Sequence, residues 1–272
     1  MFYEPGKTEH GLPHDPFKVI SRPIPTHPYP SPITDADLPG HQACVVPRPI
    51  GWISSVSPAG AHNLAPYSQF NNLTFDPPYV MFAANQTPSN RRKDTVANVE
   101  ATGRFAWNLA TWDLRDAVNA SAEQVPADVD EFERAGLEKD FTTVLRDPRV
   151  PMVKRSPVRF ECEYHSTLRL PGNPPMGTVD VVIGKVVAVH IADEVLTDGI
   201  LDVRKTQPIA RCGYYQYAVI RETFDMVIPS SGQWGEDILS GLEGSSSKNK
   251  EIGRREKTEP GEGEERAGNK DI

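Results

Sequence analysis

Basic residues are scarce in this 272-residue chain: 29 Lys and Arg stand against 37 Asp and Glu, a formal net charge of −8. A face that grips a phosphodiester backbone needs a basic excess, so a nucleic-acid partner is excluded, although a few cations can still gather around one phosphate. Long apolar runs are also lacking. None is long enough to cross a bilayer, and no charged start followed by an apolar stretch opens the sequence. The expectation is a soluble, cytoplasmic protein without a membrane partner. Cysteine is rare as well: Cys44, Cys162 and Cys212 are odd in number and far apart. Neither a disulfide framework nor a paired-cysteine zinc site fits that spacing, and buried thiols are expected.

Several signatures of familiar chemistry are missing. No Gly-x-Gly-x-x-Gly follows a strand pattern and no Gly-x-x-x-x-Gly-Lys-Ser/Thr occurs, which disfavours the common nucleotide folds. No Gly-x-Ser-x-Gly elbow supports a serine hydrolase. His62, His165 and His190 have no metal-like spacing to one another or to a cysteine, and the last two read as ordinary strand residues. The acidic stretch "DVDEFERAGLEKD" reads as a solvated turn or helix face, not as a general acid-base pair.

What is present falls into three parts. Residues 1–33 form a Pro-rich arm, residues 34–229 carry the apolar runs of one domain, and residues 230–272 are a Gly, Ser and charge-rich tail. The tail's composition cannot offset the entropy of ordering it, so disorder is expected there. Within the domain, "PIGWISSV", "PYVMFAAN", "RFAWNLA", "PVRFECEYHSTLRL" and "TVDVVIGKVVAVHIADEVL" read as strands, with Gly184 a bulge or bend in the last. "SPAG" after the first strand suits a type I turn. Two helices interrupt the series. "DTVANVEATG" has Asp94 or Thr95 as N-cap, Val96 and Val99 on one face and Gly103 as its stop; "TWDLRDAVNAS" has Thr111 as cap and Leu114 and Val118 facing inward. Trp52, Trp107 and Trp112 are expected in the core. Long strands without repeated strand-helix alternation point to a mainly β fold, an antiparallel barrel with a few added helices.

Two segments could carry chemistry. In "TPSNRRKDTVANV", Arg91, Arg92 and Lys93 sit at the mouth of a helix whose free N–H groups and dipole already favour an anion; a hydroxyl from Ser89 or Thr95 would complete a phosphate cradle. A plain solvated turn explains the same cations equally well. The second segment is "RPIGWISSVSPAGAHNLAPYSQFNN", Arg48 to Asn72. Its Ser54, Ser55, Asn63, Ser68, Asn71 and Asn72 offer neutral donors and acceptors, and Ala65 and Pro66 add a stiff backbone without bulk. Turn chemistry accounts for such residues more often than a ligand does. One ligand with both a flat ring and a phosphate would unite the two segments.

In this order the motifs "PRPIGWISSVSPAGAHNLAPYSQFNNLTFDPPYVMFA", "RKDTVANVEATGRFAWNLA", "AVNASAEQVPADVDEFERAGL", "SPVRFECEYHSTLRL", "VIGKVVAVHI" and "PIARCGYYQYAVI" resemble the flavin reductase-like, FMN-binding split-barrel family. The resemblance implies a split antiparallel β-barrel of Greek-key type that forms a homodimer and binds FMN, with FAD possible. It places Ser54, Ser55, Ala65, Pro66, Tyr67 and Ser68 along the ring and ribityl chain, with Asn71 adding an amide contact. It matches Arg91, Lys93, Asp94 and Thr95 to the phosphate-side motif, with Lys93 and Thr95 meeting the phosphate and Asp94 capping the helix, and Asn119, Ala120 and Ser121 to a second family segment. The implied activity is reduction of flavin by NAD(P)H, with electrons passed to oxygen or to a partner monooxygenase. A non-enzymatic electron carrier on the same barrel is the alternative. Where family members commonly carry Gly-Gly after an arginine, this chain has "RCGYYQY", and Tyr214 could narrow the nicotinamide's approach.

Overall fold

Long antiparallel strands build one large sheet with three small ones beside it, and a computed structural model describes the chain for residues 44–86, 91–172 and 177–226. The Pro-rich arm, the tail and Ser89 lie outside the described residues. The first stretch holds β1 (Arg48–Pro49), β2 (Gly51–Val56), β3 (His62–Tyr67), β4 (Phe70–Phe75) and β5 (Pro78–Asn85). Next come α1 (Asp94–Thr102), β6 (Arg104–Asn108), α2 (Arg115–Ala120), α3 (Glu131–Arg134), β7 (Lys139–Arg146), β8 (Arg149–Val153) and β9 (Val158–Leu170). The last stretch adds β10 (Val179–Ile191), β11 (Leu196–Thr197), β12 (Ile200–Leu201), α4 (Val203–Thr206), β13 (Ile209–Arg211) and β14 (Tyr217–Val219).

The main sheet runs β3-β2-β6-β9-β10-β5-β4, with every pair antiparallel. Its two edges, β3 and β4, are consecutive in the chain, so the sheet curls until Ser68 and Gln69 bridge edge to edge. The Gln69 carbonyl accepts from the Ala83 N–H at 2.8 Å, which carries the β4–β5 ladder one residue further toward β3. At this seam the Phe70 ring lies 2.9 Å from where a Cβ on Gly51 would sit, so glycine is what allows the approach. The result is a split barrel. "SPAG" turns as expected, the Gly60 N–H donating to the Ser57 carbonyl at 2.9 Å.

Inside the barrel, Ile53, Phe82, Phe105, Val182 and Cys162 pack with Val96 and Val99 of α1. Phe105 reaches across β9 toward Gly184, beside which the β9–β10 register shifts, as the sequence suggested. On the other side of β2, Trp52 joins Leu114, Val118 and Phe132 in a second cluster. Trp112 departs from expectation: it is 37% exposed, flanked by the guanidinium groups of Arg115 and Arg221. Cys44 is exposed and Cys212 half-buried, so only Cys162 is the buried thiol anticipated for all. No helix among the described residues is long and apolar enough to cross a membrane.

Buried polar groups tie the hairpin of β7 and β8 to the barrel. The fully buried Asn108 donates to the Trp52 carbonyl at 3.1 Å and to Ser54 Oγ at 3.2 Å, and accepts from the Val153 N–H at 2.7 Å. Glu161 of β9 is also fully buried, and accepts from the N–H groups of Thr143, Val144 and Leu145 and from the Thr143 hydroxyl. His190, which the sequence presents as an ordinary strand residue, lies 2.8 Å from the same carboxylate. Burial alone would raise this carboxyl, but the donors outweigh it and hold its pKa at about 2 rather than 4.5. A depressed folded-state pKa gives stability that is complete above about pH 4.5 and lost as pH falls toward 2. Acid unfolding of the parent should therefore steepen between these values. In Glu161→Gln that steepening should be reduced, read by circular dichroism across a pH series.

Candidate flavin site

The two sequence signals meet at the first turn of α1. Val96 and Val99 bury one face of this helix, and Gly103 ends it at φ 71, its N–H donating to the Val99 carbonyl. The N-cap is Lys93, in extended conformation and without a side-chain cap bond. This corrects the expected cap: Asp94 is the first helical residue and Thr95 the second. Lysine has no acceptor to offer, so the cap position brings a cation instead of closing the free N–H groups. An anion is what such an end accommodates. Arg91 and Arg92 are exposed beside it and, with Asp94, Ala97 and Glu100, line an open groove of about 640 Å³.

Arg92 is committed elsewhere. It pairs with Glu100, which also binds Arg169, and Arg169 lies 3.3 Å from the buried Asp180. Burial opposes ionisation of Glu100, yet Thr167, Arg169 and Arg92 together hold its carboxyl below the usual range.

Thr95 joins helix and hairpin. It is 1% exposed, and its hydroxyl donates to Asn63 Oδ1 of β3 at 2.6 Å. Tyr67, at the end of the same strand, has the Thr95 side chain beside its own hydroxyl, which desolvation pushes above the ordinary phenol range. Ala65, Pro66, Tyr67 and Ser68 are all half-buried at this end of the barrel. They are neutral residues at the end of the strand that Thr95 ties to the cationic helix start. Asn71 is exposed on β4 and lines a separate, mostly apolar cavity of about 320 Å³ with Phe70, Trp107 and Phe160. Phe70 and Trp107 stack there with centroids 5.3 Å apart and planes 5° apart.

Three expected ligand hydroxyls turn inward instead. The Ser54 hydroxyl donates to the Pro151 carbonyl at 2.5 Å, and Ser55 donates to Asn63 Oδ1 and accepts from Asn98 Nδ2, both at 3.2 Å. Both serines are fully buried, because β2 is covered on one side by α1 and on the other by β8. With Thr95, they wire the barrel together. Ser121 likewise holds the Trp52 indole N–H at 2.9 Å.

Glu131 was not visible as a participant in the sequence. Instead of being solvated it is 7% exposed, accepting from Asn63 Nδ2 and from the Leu64 N–H, each at 3.0 Å. Burial pushes its carboxyl above the usual range, against the pull of those donors. No cluster of metal-ligating side chains occurs among the described residues.

Residues 43–210 match the flavin reductase like domain. The chain belongs to this flavin reductase-like family. An uncharacterised protein of Aquifex aeolicus is 33% identical over 174 residues, covering 64% of this chain and 84% of its own length. Among solved structures, nitrilotriacetate monooxygenase component B from Bacillus cereus is 30% identical with a TM-score of 0.62, covering 67% of this chain and 88% of the other. Flavoredoxin of Desulfovibrio vulgaris shares the fold, at 15% identity and a TM-score of 0.59, covering 70% of this chain and 94% of the other. The split barrel and the family membership thus agree with the resemblance carried by the motifs.

Proposed function

We propose that this flavin reductase-like protein binds FMN and uses NAD(P)H to reduce it, passing electrons to oxygen or to a partner oxygenase. The observation that carries the reading is the lysine-capped, cation-flanked start of α1, joined through Thr95 to the strand that ends in the neutral residues Ala65–Ser68. Arg91, Lys93 and the first-turn N–H groups would hold the phosphate. Ala65, Pro66, Tyr67 and Ser68 would flank the ring, whereas Asn71 lies in the separate cavity beside Phe70 and Trp107. A bound flavin would supply the hydride-accepting ring, leaving the chain to position it and exclude water. FAD would share these contacts.

The outer face of β5 and β10 supports a homodimer. Met81, Val181 and Ile183 are only half-buried there, and Leu168 of β9 in the same face is exposed. The Bacillus cereus neighbour's name, a monooxygenase component, supports an oxygenase partner. The alternative of a flavin-binding electron carrier draws on Tyr214, held at φ 55 where glycine is favoured.

One set of measurements on the purified full chain tests these readings. FMN fluorescence should be quenched on titration, the protein should sediment at twice the monomer mass, and NADH or NADPH absorbance should fall when flavin is present. Unchanged FMN fluorescence would remove the flavin reading. Binding without oxidation of either nucleotide selects the carrier, and a monomer with bound FMN removes the dimer.

A further inference from the structure

The hydrogen bonds around Asn63 run in one direction. Asn98 Nδ2 donates to Ser55 Oγ, Ser55 Oγ donates to Asn63 Oδ1, and Thr95 Oγ1 donates to the same oxygen. Asn63 Nδ2 then donates to Glu131 Oε1, while Glu131 Oε2 takes the Leu64 N–H. The chain thus starts on α1, crosses the β2–β3 hairpin and ends on a buried carboxylate of α3. These bonds give Glu131 neutral partners only.

Both oxygens of Glu131 accept, Oε1 from Asn63 and Oε2 from the Leu64 N–H, so the amide nitrogen of Asn63 is turned toward the carboxyl group. The amide oxygen is then left facing Thr95 and Ser55. If Asn63 turned the other way, the Thr95 hydroxyl would meet an NH₂ group and lose its acceptor, and the first turn of α1 would lose its bond to β3. Glu131 itself is held in place from its own side. Asp130 caps α3 by accepting the Phe132 N–H at 2.9 Å and pairs with Lys139, while Phe132 is fully buried.

We propose that Glu131 is a positioning residue for the phosphate end of the flavin site, acting through Asn63 and Thr95 to set the first turn of α1 against β3. This rests on the flavin reading above. It assigns a role in ligand discrimination to a carboxylate that touches no ligand: it keeps Lys93 and the free N–H groups aimed where the phosphate lies.

FMN and riboflavin differ by that phosphate alone, so their affinities separate this role from a general contribution to folding. Both ligands are titrated by fluorescence quenching into the full chain, Glu131→Gln, Thr95→Val and the double variant. Glu131→Gln should weaken FMN about tenfold, the worth of roughly one hydrogen bond, and change riboflavin by less than about twofold. Thr95→Val should do the same. The double variant should lose no more than the worse single one, because both act in one chain of bonds. Equal losses for both ligands, or losses that simply add, would overturn the inference while leaving the flavin reading intact. Should Glu131→Gln fail to fold, the FMN-to-riboflavin ratio of Thr95→Val decides alone. A parent chain that binds neither ligand removes both readings.

Discussion

Lys93→Glu should raise the dissociation constant for FMN about a hundredfold, a loss of roughly 2.7 kcal/mol, and leave riboflavin almost unaffected. A charge-assisted bond to phosphate is worth about 1.5–3 kcal/mol, and reversing the charge adds repulsion to its loss. The helix should not suffer, since an anion at an N-terminus is favoured by the dipole. The variant therefore separates ligand binding from stability, and a thermal melt beside the titration checks this. Added salt should weaken FMN binding in the parent more than in the variant, because the attraction it screens has been removed. Arg92→Glu should have the smaller effect, as Arg92 already pairs with Glu100. If Lys93→Glu keeps FMN affinity within about threefold of the parent, the phosphate is not held at this helix end.

Gly184→Ala should strongly destabilise the barrel. A Cβ there would stand 2.3 Å from Phe105 Cε1 and 2.4 Å from Cζ, well inside contact distance. Phe105 is fully buried and packed with Phe82, Val96 and Val182, so the ring can yield only by displacing them. Overpacking of this kind costs about 3 kcal/mol, which in a domain of this size lowers Tm by roughly 6–12 °C. Phe105→Leu in the Gly184→Ala background should recover part of the loss, since the shorter side chain withdraws from the clash. A melting temperature within about 1 °C of the parent for Gly184→Ala alone would show that the ring gives way freely.

Strands β2, β5, β6, β9 and β10, the hairpin turn, the Gly184 irregularity and the Val96 and Val99 face of α1 were legible because each follows from local pattern or turn chemistry, whereas the polar β3 and β4 and the hairpin of β7 and β8 went unread. Burial direction was less legible where a strand is covered on both sides. Ser54 and Ser55 look like ligand hydroxyls in sequence, but β2 lies between α1 and β8, and that sandwich depends on chain more than forty residues away. Glu131 was hidden for the same reason. Its partners Asn63 and Leu64 precede it by 68 and 67 residues, so nothing in "DVDEFERAGLEKD" separates it from its solvated neighbours. The cap at Lys93 defied propensity rules, which favour short acceptors at a site where this chain has a cation. The pairing of "NLAPYS" with "RKDT" was informative because the structure does bring these segments together, through Thr95 and Asn63.

The edge-to-edge joint at Ser68 and Gln69 has a consequence for motion. Ligand contacts proposed for Ala65–Ser68 pull on the same few residues that keep the cylinder shut, so binding and barrel breathing share a hinge. The Ala83 amide hydrogen, bonded to Gln69 where the β4–β5 ladder runs into that joint, is sheltered while this ladder end stays paired. Its exchange with deuterium times the fraying of the strand end beside the joint, and does so whether or not a coloured ligand is present.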